Sequence, residues 1–107
     1  MFTRIVELAT KPGKNKQLSE AINDKVLPIL KKQKGFVDEA VLISDKDDNR
    51  VLGLSFWNTK EDAEQYHRAD YSKVQETLRP FLDAEPVIRT FEVHTSTTHR
   101  IAAGKAA

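Results

Sequence analysis

Between Val51 and His67 a strand that ends in the chain's only tryptophan runs straight into a capped helix, with Asn58 and Thr59 alone between them. Alternation along Arg50–Trp57 puts Leu52, Leu54 and Phe56 on one face and Val51, Gly53, Ser55 and Trp57 on the other. Small residues beside one large ring leave room for a hollow. Thr59 has the hydroxyl that accepts an unpaired N–H of a first helical turn, and Asp62 stands where a capping box carries its acid. A helix over Lys60–Arg68 is therefore expected directly after the strand, and this junction confines the chain to folds that pack a helix back onto a sheet.

The remaining segments supply the other layers. Phe2–Thr10 reads as a strand with Phe2, Val6 and Leu8 on one face and Ile5 and Ala9 on the other, interrupted by Arg4 and Glu7. Lys11-Pro12-Gly13 ends it, and a helix from about Lys14 or Asn15 carries the stripe Leu18, Ile22, Val26, Ile29 and Leu30. Pro28 lacks an N–H and its ring meets the Asp24 carbonyl, so it either kinks that helix or divides it in two. Gly35 closes the segment. Phe36–Ser44 and Arg50–Trp57 form a hairpin across the polar turn Asp45–Asn49. Asp70 offers a second cap, followed by Tyr71, Val74, Leu78, Phe81 and Leu82 at helical spacing until Pro80 and Asp83 loosen the last turn; a final strand runs from Pro86 to about Thr95.

This order, strand, helix, two strands, broken helix, strand, is a ferredoxin-like split βαβ α+β fold. It has a four-stranded antiparallel sheet with helices on one face. The last strand has an apolar face, Val87, Phe91 and Val93, and a mixed one, Ile88, Thr90, Glu92 and His94. The mixed side of the sheet, only half suited to water, is expected to lie away from the helices and to be covered by a second copy, giving a homodimer. Residues 1–95 are expected to be the domain and 96–107, small and polar without a period, a C-terminal tail or extension.

The chain has 107 residues, 39% hydrophobic and 31% charged, as expected of one globular domain. A net charge of +1 with mixed signs gives no field for phosphate backbones or anionic lipid, so neither nucleic acid nor membrane is an expected partner. No cysteine is present, which removes disulfides, thiolate nucleophiles and cysteine-ligated metals. The first apolar segment begins at Phe2 without a signal-like region, and a cytoplasmic location is expected. His67, His94 and His99 are too scattered for a metal cluster, and Asp45–Asn49 lacks the glycine and terminal glutamate of a calcium loop.

The Trp57 strand end followed by N-T-K-E-D-A-E-Q-Y-H resembles the antibiotic biosynthesis monooxygenase domain family. So do the Pro28 to Gly35-Phe36 helix ending, the R-P-F-L of Arg79–Leu82 and the closing V-I-R-T-F-E-V of Val87–Val93. The resemblance implies a dimeric α+β barrel, and a monooxygenase that oxidises aromatic or quinol-type molecules with dioxygen and needs no flavin, haem or metal. It is not similar to the haem-degrading branch. The first strand has no asparagine, and Tyr66 and Glu76 stand where that branch aligns its tryptophan and haem-ligating histidine.

Such chemistry needs an apolar pocket and a base that makes the substrate an electron-rich anion. His67 is the candidate base and Tyr66 the candidate oxyanion donor. Trp57, Tyr71, Ser55 and Phe81 are candidate substrate contacts. Each has a plainer reading: His67 as an exposed helix residue, Trp57 as core, Tyr66 and Tyr71 as core edge. Family members often carry their helix histidine where Tyr66 stands, and one residue turns a helix by roughly 100°, so His67 can face solvent while Tyr66 faces the sheet. Arg89 either neutralises an anionic substrate or pairs with Glu7 or Glu92. The alternative to an oxygenase is a non-catalytic small-molecule-binding or stress-associated dimer using the same cavity.

Overall fold

The computed structural model describes residues 1–99. Four antiparallel strands, β1 Phe2–Ala9, β2 Phe36–Ile43, β3 Arg50–Trp57 and β4 Val87–Glu92, form one sheet in the order β2-β3-β1-β4. The first crossover is α1 Asn15–Ala21, a π-helical turn over Ile22–Val26, and α2 Leu27–Lys31. The second is α3 Lys60–Ala69, α4 Tyr71–Leu78 and a 3₁₀ turn over Arg79–Phe81. The helices pack on one face, so the expected α+β ferredoxin-like architecture is the observed one.

Local chemistry accounts for most boundaries. Thr59 Oγ1 accepts the Asp62 N–H at 3.1 Å, starting α3 as its sequence requires. Ser44 and Asp47 hold the β2–β3 turn through side-chain bonds to the Asp47 and Asn49 N–H groups, both 3.1 Å. At Pro28 the helix widens one turn upstream. The Leu27 N–H reaches back to the Ile22 carbonyl, the longer span of a π turn, which makes room for a residue that cannot donate.

Several expectations are corrected. β1 stops at Ala9, and Thr10 makes only an isolated bridge to Leu82; β4 stops at Glu92 instead of near Thr95. Asp70 caps nothing with its side chain. Its carboxylate accepts from Gln33 Nε2 at 2.7 Å and pairs with Lys73 at 3.2 Å, tying the α3–α4 corner to the end of α2. Arg89 pairs with Glu7 at 3.4 Å.

The larger correction concerns the faces. The mixed side of β3, Val51, Gly53, Ser55 and Trp57, lies under the helices together with Phe2, Arg4, Val6 and Leu8 of β1. The helix-free side carries Leu52, Leu54 and Phe56, with Leu42, Val87 and Phe91 48%, 47% and 49% exposed. The reason is the tryptophan. Burying the largest side chain of the strand outweighs burying the more uniform apolar row, and alternation then carries Ser55 and Gly53 inward with it.

Beyond β4 the described part of the expected 96–107 extension folds back over the helix-free side. His99 Nε2 lies 2.7 Å from Asp38 Oδ2, and its ring stands 4.5 Å from that of Phe56. Residues 100–107 lie outside the described residues.

Gly35 and Gly13 both have positive φ, 80° and 75°, but their surroundings differ. A Cβ at Gly35 would run into the Asp62 carboxylate, whereas a Cβ at Gly13 meets nothing within 4 Å. Gly13→Ala is therefore expected to cost about 1 kcal/mol of backbone strain, and Gly35→Ala about 2–3 kcal/mol because displacement of Asp62 is added. Urea unfolding of both variants checks the ranking, and equal midpoints would contradict it.

Candidate functional site

Cross-strand register arranges the helix-facing side of the sheet in rows. Phe36, Trp57 and Phe2 form the first, Glu39, Ser55, Arg4 and Thr90 the second, and Val41, Gly53, Val6 and Ile88 the third. Trp57 fills the first row completely. It is fully buried, stacks on Tyr66 at 5.2 Å and 24°, meets Phe36 edge-on at 5.7 Å, and its Nε1–H donates to Ser55 Oγ at 2.9 Å. Above the second and third rows the side chains Ser55 and Gly53 are too short to reach the helices, and a cavity of about 60 Å³ opens there. Its floor includes Arg4, Val6, Glu39, Gly53 and Ser55, and its roof includes Ile22, Val26, Tyr66, Tyr71 and Val74. That is room for a few waters.

Glu39 enters the cavity because of a β-bulge. The register shifts between Phe36 and Asp38, so Glu39 and not Asp38 stands opposite Ser55. Simple alternation from Phe36 would have sent Glu39 to the other side, and this hid it from sequence reading. Bulges commonly re-aim one side chain in this way. Burial, and secondarily the neighbouring Asp38, raise the Glu39 pKa above the ordinary carboxylate value.

Arg4 was legible only as a charge interrupting an apolar strand face. In the structure it is 5% exposed. Its guanidinium carbon lies 5.0 Å from the Tyr71 ring centroid and 5.4 Å from that of Tyr66, both within cation–π range. Nη1–H donates to His67 Nδ1 at 3.2 Å, since a guanidinium has no acceptor. Nη2 is buried and has no hydrogen-bond partner. Among the described residues no carboxylate forms an ion pair with Arg4.

Of the six residues singled out from sequence, Ser55, Tyr66 and Tyr71 line the cavity. Trp57 sits behind Ser55 as its support. Phe81 lies beyond the far end of β1, where its carbonyl accepts the Lys11 N–H, and it is not part of the cavity wall although Leu78 and Pro86 on either side of it are. His67 lies outside the cavity, stacked on Tyr71 at 5.1 Å and bordering a surface hollow with Lys60, Glu64 and Arg68. The Tyr66–His67 phase is the one expected: tyrosine toward the sheet, histidine away. Burial raises the phenol pKa of both Tyr66 and Tyr71, so both remain protonated donors.

Residues 1–78 match the family model described as antibiotic biosynthesis monooxygenase. The chain belongs to that family. Among solved structures, a monooxygenase of Streptomyces coelicolor in complex with nanaomycin D is similar with a TM-score of 0.77 and 19% identity, over 89% of this chain and 88% of the other. SnoaB, a cofactor-independent oxygenase of Streptomyces nogalater, is similar at 0.76 and 13%, over 92% and 97%. An antibiotic biosynthesis monooxygenase so described from Bordetella bronchiseptica gives 0.75 and 14%, over 86% and 95%. Identities this low establish a shared fold. Among curated proteins none matches this chain. No described helix is long and apolar enough to cross a membrane.

In this family member His67 is held neutral. Burial, then Arg4 and Arg68, lower its pKa from the ordinary 6.5. The folded chain thus binds this proton less readily than the unfolded one, so the stability linked to His67 is complete above that value. It is lost as pH falls through 6.5 toward the lower folded value. Acidification across that window is expected to lower the melting temperature of the wild type more than that of His67→Gln. Parallel melting-temperature curves would show that the Arg4–His67 bond has no such linkage.

Proposed function

We propose that this chain is a cofactor-independent monooxygenase acting with dioxygen on a small aromatic or quinol-type substrate held over Gly53 and Ser55. The observation that carries the reading is the cavity between sheet and helices in a chain of this family. It is apolar with a few polar groups, the usual composition of a small-molecule site. An anthrone-type ring carbon bearing two hydrogens, the keto form of a quinol-type ring, gives both to the reaction. One oxygen atom becomes its carbonyl and the other leaves as water, so the substrate itself supplies the electrons. The apolar roof of Ile22, Val26 and Val74 would hold the ring, and the Tyr66 and Tyr71 hydroxyls would hydrogen-bond its oxygens.

Oxygen-electrode assays with a panel of small hydroquinones and anthrone-like compounds are expected to show protein-dependent uptake, with one carbonyl and one water formed per dioxygen from the anthrone-like members. No uptake over the panel would favour the second reading, a non-catalytic small-molecule-binding protein. One observation supports that alternative: His67 Nδ1 already accepts from Arg4, and the ring lies outside the cavity, so no histidine base faces a guest.

We also propose a homodimer formed through the helix-free side of the sheet. Leu42, Val87 and Phe91 are each about half exposed there beside Leu52 and Leu54, an apolar side with the Glu7–Arg89 pair set into it and His99 over Phe56, and exposed apolar groups of this kind mark an interface. Light scattering at micromolar concentration is expected to give twice the 12.1 kDa chain mass, and Phe91→Asp to give the single mass. A monomeric wild type would remove the proposal.

A further inference from the structure

We propose that Arg4 is the oxyanion-binding residue of the cavity, and that its ligand is a small aromatic or enolic molecule whose acidic hydroxyl gives its proton to Glu39. The inference deepens the functional reading above and rests on the cavity being the substrate site. Three features of Arg4 converge. Its charge is buried without an ion-paired carboxylate among the described residues, and Nη2 is a buried donor with nothing to donate to. The guanidinium is nevertheless held: Nη1 by His67, its planar face by Tyr66 and Tyr71. A fixed, desolvated and unsatisfied cation is costly in a folded chain and is the feature an anion would relieve.

Glu39 supplies the complementary group. It shares the Ser55 row with Arg4, two strand spacings or about 10 Å away along the sheet, and lines the same cavity. Among the described residues its carboxylate makes no hydrogen bond or ion pair, and burial already favours its protonated form. A single substituted ring laid over Ser55 and Gly53 would span the interval. Benzene occupies a cavity of about 150 Å³, so the ring enters the roughly 60 Å³ hollow by pushing the helical roof outward. The floor is clear, because a Cβ at Gly53 would meet nothing within 4 Å. In the step proposed, the substrate O–H bond breaks and the proton passes to a Glu39 oxygen. The electron pair stays on the substrate oxygen, facing Arg4. His67 acts through Arg4 as a positioning residue. The titratable groups around the ligand are Arg4, Glu39, Tyr66 and Tyr71, with His67 behind Arg4.

The test uses para-nitrophenol, whose neutral and ionised forms differ in colour, and its neutral methyl ether, para-nitroanisole. Wild-type protein is expected to bind the phenolate at least about tenfold more tightly than the ether, the scale of a charge-assisted hydrogen bond in a buried site. Arg4→Met should erase that preference while keeping ether affinity, and Arg4→Lys should restore part of it. Equal binding of phenolate and ether by the wild type would overturn the proposal even if Arg4→Met fails to fold. Calorimetry in buffers of different ionisation enthalpy tests Glu39. Neutral nitrophenol should bind the wild type without releasing a proton to buffer, and Glu39→Gln with release of one; identical release would exclude Glu39 as acceptor. Anion preference without oxygen uptake would leave this inference standing and remove the oxygenase reading, and uptake without anion preference would do the reverse.

Discussion

The stack of Trp57 on Tyr66 is the contact on which the rest of the molecule depends. It joins the end of β3 to the middle of α3 across a connection of two residues, so strand and helix cannot shift independently. With Tyr66 locked against the sheet, the next residue must point elsewhere, and His67 turns to the outer side of the Arg4 guanidinium. Tyr66, Tyr71 and His67 thereby surround one cation from three directions. The Trp57 Nε1–H finds its acceptor in Ser55, which fixes the serine hydroxyl at the edge of the cavity. One aromatic contact thus orders the support, the wall and the charge.

The cavity is the consequence of burying a large residue beside small ones. A fully buried Trp57 sets the distance between sheet and helices, and Ser55 and Gly53 cannot fill that distance over the next two rows. Leaving it empty forfeits dispersion contacts, and a chain selected for stability alone would place larger residues there. The π turn before Pro28 has a related effect on the opposite wall. It widens the helix where Ile22 and Val26 form part of the roof. Both irregularities, with the bulge that turns Glu39 inward, gather at this one location, which is where local structural rules are most often broken for function.

Arg4 and Glu39 show what linear reading misses. Arg4 interrupted an otherwise apolar strand face and had no sequence neighbour to suggest a role; its surroundings come from α3 and α4, more than sixty positions away. Glu39 sat in a strand whose alternation pointed it to the wrong side, because one unpaired residue between Phe36 and Asp38 inverts the phase of all that follows. Tyr66 was legible from helical phase after the Thr59 N-cap, and Tyr71 from its spacing to Val74 and Leu78 on the next helix. Phe81 shared that stripe but falls after Pro80, where the 3₁₀ turn takes it out of the helical phase, and the cavity wall passes from Leu78 to Pro86 without it.

The amino-acid sequence determined the element order, the Thr59 cap, the positive-φ turn at Gly35, the hairpin turn, the disturbed helix at Pro28 and the opposed directions of Tyr66 and His67. These follow from interactions within a few residues, whose geometry is set by backbone sterics and short hydrogen bonds. Only the tertiary structure decided which side of the sheet the helices cover, where the hollow lies and which charges meet in it. Those outcomes depend on how burial of Trp57 balances against a more apolar row, and on a register shift that no local propensity encodes.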